Sequence, residues 1–292
     1  MKVSGFTFVR NAIKFDYPIV EAITSILPVC DEMIVAVGNS DDATLALIKS
    51  INSPKIKIIQ TTWDDTLREG GKVLAIETNK ALAALSPDSD WYFYIQGDEV
   101  VHEQYLPNIQ KAMQDNLNDP KVEGLLFKYL HFYGSYQYVA DAQRWYRQEI
   151  RIIRNQGNIT SYRDAQGFRT IDNKKLSVKW IDAFVYHYGW VKSPEIQKEK
   201  MKSSINFWTT DEESVGVKKH YEDNFDYSEI DSLRNFNGTH PAVMQTRIAR
   251  VNWQFDFDIR EKKLSLKNRF RAWIEKLTDC RIGEYKNFKP LN

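Results

Sequence analysis

The chain has 292 residues, 42% of them hydrophobic and 13% aromatic, with 40 Lys and Arg against 39 Asp and Glu. That length can bury a substantial core, and the near-neutral balance removes the whole-chain electrostatic basis for a nucleic-acid binder. Cys30 and Cys280 form neither a disulfide framework nor a zinc spacing; with no signal-peptide pattern and nothing near the roughly 18 apolar residues of a membrane span, a soluble cytoplasmic protein is expected.

In chain order, Val3 to Val9 is a β-prone run, and Ile19, Ile23 and Ile26 recur at helical spacing before Pro28. Met33 to Val37 is a second buried strand, and the polar turn Gly38 to Asp42 can cap a helix from Ala43 to Lys49. Ile56 to Ile59 is a third strand, followed by a helix from Lys72 to Leu85. Trp91 to Ile95 is too short for a helix and suits a strand covered on both faces, ending in the carboxylates Asp98 and Glu99. This alternation predicts a parallel sheet with helices on both sides, and ligands of such sheets bind outside the carboxyl ends of the strands. Beyond about Gly124 the pattern changes to tyrosine-rich, hairpin-like strands, with another strand at Glu149 to Arg154 and one at Phe184 to Trp190. From Pro194 the chain turns helical and charged. No repeat or linker divides it, so one elaborated domain is expected.

Order and spacing over roughly residues 3 to 190 resemble family 2 glycosyltransferases of bacterial surface-polysaccharide type. The resemblance rests on Phe8-Val9-Arg10-Asn11, on Gly38-Asn39-Ser40-Asp41-Asp42-Ala43-Thr44, on Thr78-Asn79-Lys80, and on Gln96-Gly97-Asp98-Glu99 where Asp-Ala-Asp-Glu is usual. Val37 and Gln96 stand where the family has Asp. It implies a GT-A (Rossmann-like) nucleotide-sugar-binding α/β fold with a mostly parallel central sheet over residues 1–190 and a helical C-terminal extension over 191–292. It also implies transfer of a sugar from a nucleotide-diphosphate-sugar to a hydroxyl of a glycan, lipid-linked or protein acceptor, with inversion. A degenerate fold that only binds carbohydrate or nucleotide, and a nucleotidyltransferase, are the alternatives.

A divalent cation, Mn2+ or Mg2+, held by carboxylate oxygen neutralises the charge growing on a departing diphosphate. Asp98, Glu99 and the late His187 are the expected metal ligands. Val9, Asn11, Asn39, Lys72, Asn79, Gln96, Gly97, Asp98, Arg151, Arg154 and His240 are the expected donor-binding residues. Asp164, after the Arg-rich strand, is the expected general base, with Asp141 and Glu149 as rivals. His102, His131 and His220 show no ligand spacing. Near the C-terminus Leu266, Phe270, Trp273, Ile274 and Leu277 share a helical stripe amid basic residues. That stripe packs on the catalytic domain or lies on an anionic membrane, making peripheral contact at its inner face.

Overall fold

The computed structural model describes residues 1–209, 225–278 and 280–291; His220 lies outside them. Strands form where the apolar runs lie: β1 (Val3–Val9), β2 (Glu32–Val37), β3 (Ile56–Gln60) and β4 (Trp91–Tyr94), joined through helices α1 (Ile19–Ile26), α2 (Thr44–Lys49) and α3 (Lys72–Ala83). They pair in parallel in the order β3-β2-β1-β4, the arrangement that helical crossovers permit. Alternate residues serve opposite layers. Val3, Val9, Trp91 and Phe93 join Ile19, Ile23 and Ile26 in one core, while Phe6, Tyr92 and Tyr94 join Ala81 and Leu85 in the other. Burial on both faces is why β4 reads as an unbroken apolar run.

Past β4 the sheet becomes mixed. After β5 (Glu99–Val101) and α4 (Leu106–Asp115) come β6 (Gly124–Tyr133), β7 (Ser135–Ala140) and β8 (Gln148–Arg154). The tyrosine-rich hairpin expected here is β6–β7. β8 enters antiparallel between β4 and β6. A separate hairpin, β9 (Ile159–Tyr162) and β10 (Gly167–Thr170), docks on α3, where Asn79 Oδ1 accepts the amide of Ser161 at 2.8 Å. The long β11 (Leu176–Trp190) runs parallel to β6 and antiparallel to β5, and this register sets His187 beside both Glu99 and His131.

The C-terminal region is more than a helical extension. α5 (Pro194–Ile205) is followed by β12 (Leu233–Asn235), α6 (Gln245–Ile248), α7 (Leu266–Thr278) and β13 (Phe288–Pro290). β12 pairs with β7 and β13 with β11, so the tail completes the sheet. Strands of three residues carry too little pattern to read from sequence. The fold is α/β and Rossmann-like, parallel through its central strands and mixed toward the β12 edge.

Candidate active site

A cleft of about 750 Å³ opens at the carboxyl ends of β1 to β4, where sheets of this kind bind ligands. Val9 and Asn11 reach it from β1, Asp41 from the loop after β2, Trp63 and Asp65 from the loop after β3, and Gln96, Gly97 and Asp98 from the turn after β4. Asp164 and Gln166 enter from the tip of the β9–β10 hairpin, and Lys200 and Trp208 from α5 and the turn after it. Asn11 stitches the first two loops together: its amide donates to Ser40 Oγ at 3.0 Å and its Oδ1 accepts from the amide of Asp41 at 2.9 Å. It does so at φ 56°, a left-handed conformation that asparagine tolerates better than most residues.

Asp98 Oδ2 and His187 Nε2 lie 3.7 Å apart. A Cβ at Gly189 would stand 2.6 Å from the first and 2.7 Å from the second, so the bare glycine leaves open the space where they converge. Hydrogen-bond partners assign the protons on the two imidazoles. His131 Nε2 donates to the carbonyl of Tyr146 at 2.7 Å, so its Nδ1 accepts from His187 Nδ1 at 3.1 Å and His187 Nε2 keeps its lone pair toward Asp98. Burial holds both imidazoles below the usual histidine range, His131 well below, and favours these neutral forms. An imidazole whose second nitrogen is engaged behind it is oriented as metal-ligating histidines are. Burial works against the charge on Asp98, but the neighbouring cations, Lys200 foremost, outweigh it and bring its carboxyl down to about 2. Lys200 Nζ lies 3.3 Å from Asp98 Oδ2 and donates to the carbonyl of Gly189 at 2.9 Å. No three His, Cys, Asp or Glu side chains among the described residues form a cation cage. Two protein ligands nevertheless suit a magnesium- or manganese-like ion that takes phosphate and water oxygens for the rest.

Glu99 is not available to a metal. It is fully buried, accepts from Arg151 Nε at 2.8 Å and Nη2 at 2.7 Å, from Tyr129 Oη at 2.8 Å and from the amide of Gln96 at 3.1 Å. Arg151 is equally committed, its Nη1 donating to the carbonyls of Ile150 and Gln166, each at 3.0 Å, so it does not contact donor phosphate. The pair ties the turn that carries Asp98 to the loop that carries Asp164. Gln96 adds a second tie, its Nε2 donating to the carbonyl of Ala165 at 3.0 Å. A carboxylate could not donate there, which gives a physical reason for the amide in place of an acid.

Of the three carboxylates considered as base, Asp164 alone lines the cleft. Burial raises its proton affinity. Its neighbours Arg163 and Ala165 hold φ of 55° and 63°, sparsely populated backbone that fixes the loop tip. Glu149 is buried behind the loop and burial pushes its carboxyl up to about 8, while Asp141 lies 3.6 Å from Lys262.

Other expected donor contacts lie elsewhere. Arg154 donates to four carbonyls between Asn116 and Val122 and covers the Trp91 ring at 4.3 Å, at the end of β4 remote from the cleft. His240 bridges Tyr188 Oη at 2.8 Å and the carbonyl of Tyr136 at 3.0 Å within an aromatic core. Asn79 is spent on the β9–β10 hairpin, Lys72 is exposed beyond the cleft lining, and Asn39 Oδ1 orients Trp63 by accepting its amide at 3.0 Å. Sequence reasoning missed His131, Lys200, Trp63 and Trp208. A lysine on a charged helix and a histidine in an aromatic strand carry no local signal; the pair Phe207-Trp208 closing a charged helix was the readable one.

No family model matches the chain, and no curated protein does. Solved structures that resemble it include residues 1–349 of S. aureus TarS, 13% identical over 76% of this chain and 70% of that one, TM-score 0.39. Another is glucosyl-3-phosphoglycerate synthase from Mycobacterium tuberculosis, crystallised with Mn2+, UDP and phosphoglyceric acid: 21% identity, 44% of this chain, 43% of that one, TM-score 0.30. A third is 4-diphosphocytidyl-2C-methyl-D-erythritol synthase from Anaerococcus prevotii, at 13% identity over 76% of this chain and 99% of that one, TM-score 0.39. Neither donor nor acceptor follows from likenesses this distant.

Proposed function

We propose that the protein is a glycosyltransferase that moves a sugar from a nucleotide-diphosphate-sugar to a hydroxyl acceptor, with inversion and with Mn2+ or Mg2+. The observation that carries the reading is the content of one cleft: a carboxylate and a neutral imidazole converging over Gly189, and a separate half-buried carboxylate, Asp164, with raised proton affinity. Asp98 and His187 would hold the cation, which when bound neutralises the diphosphate leaving group. Lys200 is placed to exchange Asp98 for a phosphate oxygen. Trp208, 44% exposed, offers its ring to a nucleobase or sugar, and Trp63 is packed behind it in the cleft wall. Asp164 takes the acceptor proton as the hydroxyl attacks the anomeric carbon and the bond from that carbon to the diphosphate oxygen breaks. A base distinct from the cation site supports a single displacement.

The test is thermal unfolding with a panel of nucleoside diphosphates and nucleotide sugars, each with and without Mn2+. A ligand at about 100 times its dissociation constant stabilises the fold by about 2.7 kcal/mol. A metal-dependent shift with one nucleotide, lost in Asp98→Ala, is expected together with release of nucleoside diphosphate on incubation with acceptor. Release of pyrophosphate would indicate nucleotidyl transfer, and binding without any turnover a binding protein.

A further inference from the structure

Helix α7 stands with its polar side toward the protein and its apolar side outward. Glu275 is held by Arg147 at 3.4 Å and by Arg281 at 2.9 Å. Asn268, Arg271, Ala272 and Glu275, which share one side at 3.6 residues per turn, are half-buried, as is Ile274 at the margin of the stripe. On the other side Leu266, Phe270, Trp273 and Leu277 are 84%, 60%, 58% and 64% exposed. Helical spacing sets Arg269 and Lys276 along one edge of this stripe and Lys267 along the other. A helix packed on a core by its apolar face is turned the opposite way.

We infer that α7 is a surface-seeking helix that seats the protein on an anionic lipid bilayer. The stripe supplies the apolar face. The flanking Lys and Arg can lay their stems along it and keep their charges at the level of lipid phosphates. Among the described helical residues 266–278 the single acid, Glu275, is taken up by the protein's own arginines, so the charges beside the stripe there are basic. That charge also disfavours a second copy, because a self-contact through the stripe would bring like-charged edges together. No helix among the described residues is long and apolar enough to cross a membrane, so the contact lies in the interfacial plane. The seat is continuous with the cleft wall: Arg281 Nη1 donates to the carbonyl of Trp145 at 2.5 Å, next to Tyr146 in the cleft lining. The inference stands independently of the donor chemistry.

The experiment pellets the full chain with vesicles of phosphatidylcholine alone or with added phosphatidylglycerol. The protein should pellet with the anionic vesicles and far less with the neutral ones. Binding should weaken as salt rises from about 0.1 M to about 1 M, which shortens the screening length from about 10 Å to about 3 Å. Leu266→Ser with Phe270→Ser should lower binding roughly tenfold or more while leaving the melting temperature in place, since both side chains are exposed. The inference is overturned if the protein stays in solution with anionic vesicles, or if the double variant pellets equally. It is also overturned if light scattering shows a dimer that the double variant dissolves, because the stripe would then be covered by a second copy.

Discussion

Asp98 and Asp164 have separable roles in the cleft. Asp164→Asn keeps shape but cannot accept a proton, so donor binding in a calorimetric titration should be unchanged while transfer slows by about 10²- to 10⁴-fold; unchanged turnover would remove Asp164 from the mechanism. Gly189→Ala fills the space between Asp98 and His187. It should weaken Mn2+-dependent nucleotide binding by roughly tenfold or more, and equal affinity would detach these residues from the cation. Glu149 gives a pH signature apart from the cleft. Its buried carboxyl, with Arg151, Glu99 and Asp164 as the nearest charges, titrates at about 8 in the folded chain, against about 4.3 unfolded. Between those values the folded state holds a proton that the unfolded state lacks, so Glu149 lowers stability as pH rises, by up to about 1.4 kcal/mol per unit. Glu149→Gln should flatten that slope between about pH 5 and pH 7.5; denaturant titrations with parallel slopes for the two proteins would count against the buried acid.

Among elements, the Arg151–Glu99 pair is the tie between the β4–β5 turn and the hairpin loop. Removing one partner strands the other in the core, so Arg151→Met should cost about 3 to 5 kcal/mol in a urea titration. Adding Glu99→Leu should recover much of that loss, since no buried charge remains unpaired. A double variant no more stable than the single one would mean that the pair supplies attraction beyond mutual neutralisation. Both residues were legible as acid and base near the site. Their pairing was not, because β8 reaches β4 only through an antiparallel insertion whose register no local pattern encodes.

At the scale of the whole molecule, the chain's last residues belong to its central sheet. Phe288 on β13 is 5% exposed and packs in the cluster that holds Leu176 and Val178. Phe288→Ala should therefore destabilise the entire fold by about 3 kcal/mol or more, seen as one cooperative loss; a change near zero would mean that the tail is a separate appendage. What the sequence by itself determined is the parallel half: apolar runs at β1, β2, β3 and β4, helical spacing between them, and an acidic turn at the carboxyl edge, all local periodicities of two or 3.6 residues. Tertiary structure alone decided which polar residues serve the cleft. Asp98, His187 and His131 meet because β11 lies between β5 and β6, and Lys200 joins them because α5 folds back over β11. Glu99 and Asp98, adjacent in the chain, part company because Asp98 ends the turn after β4 at the cleft whereas Glu99 opens β5, paired with β11 and buried. The same turn thus sends one carboxylate to the ligand and the other to the core.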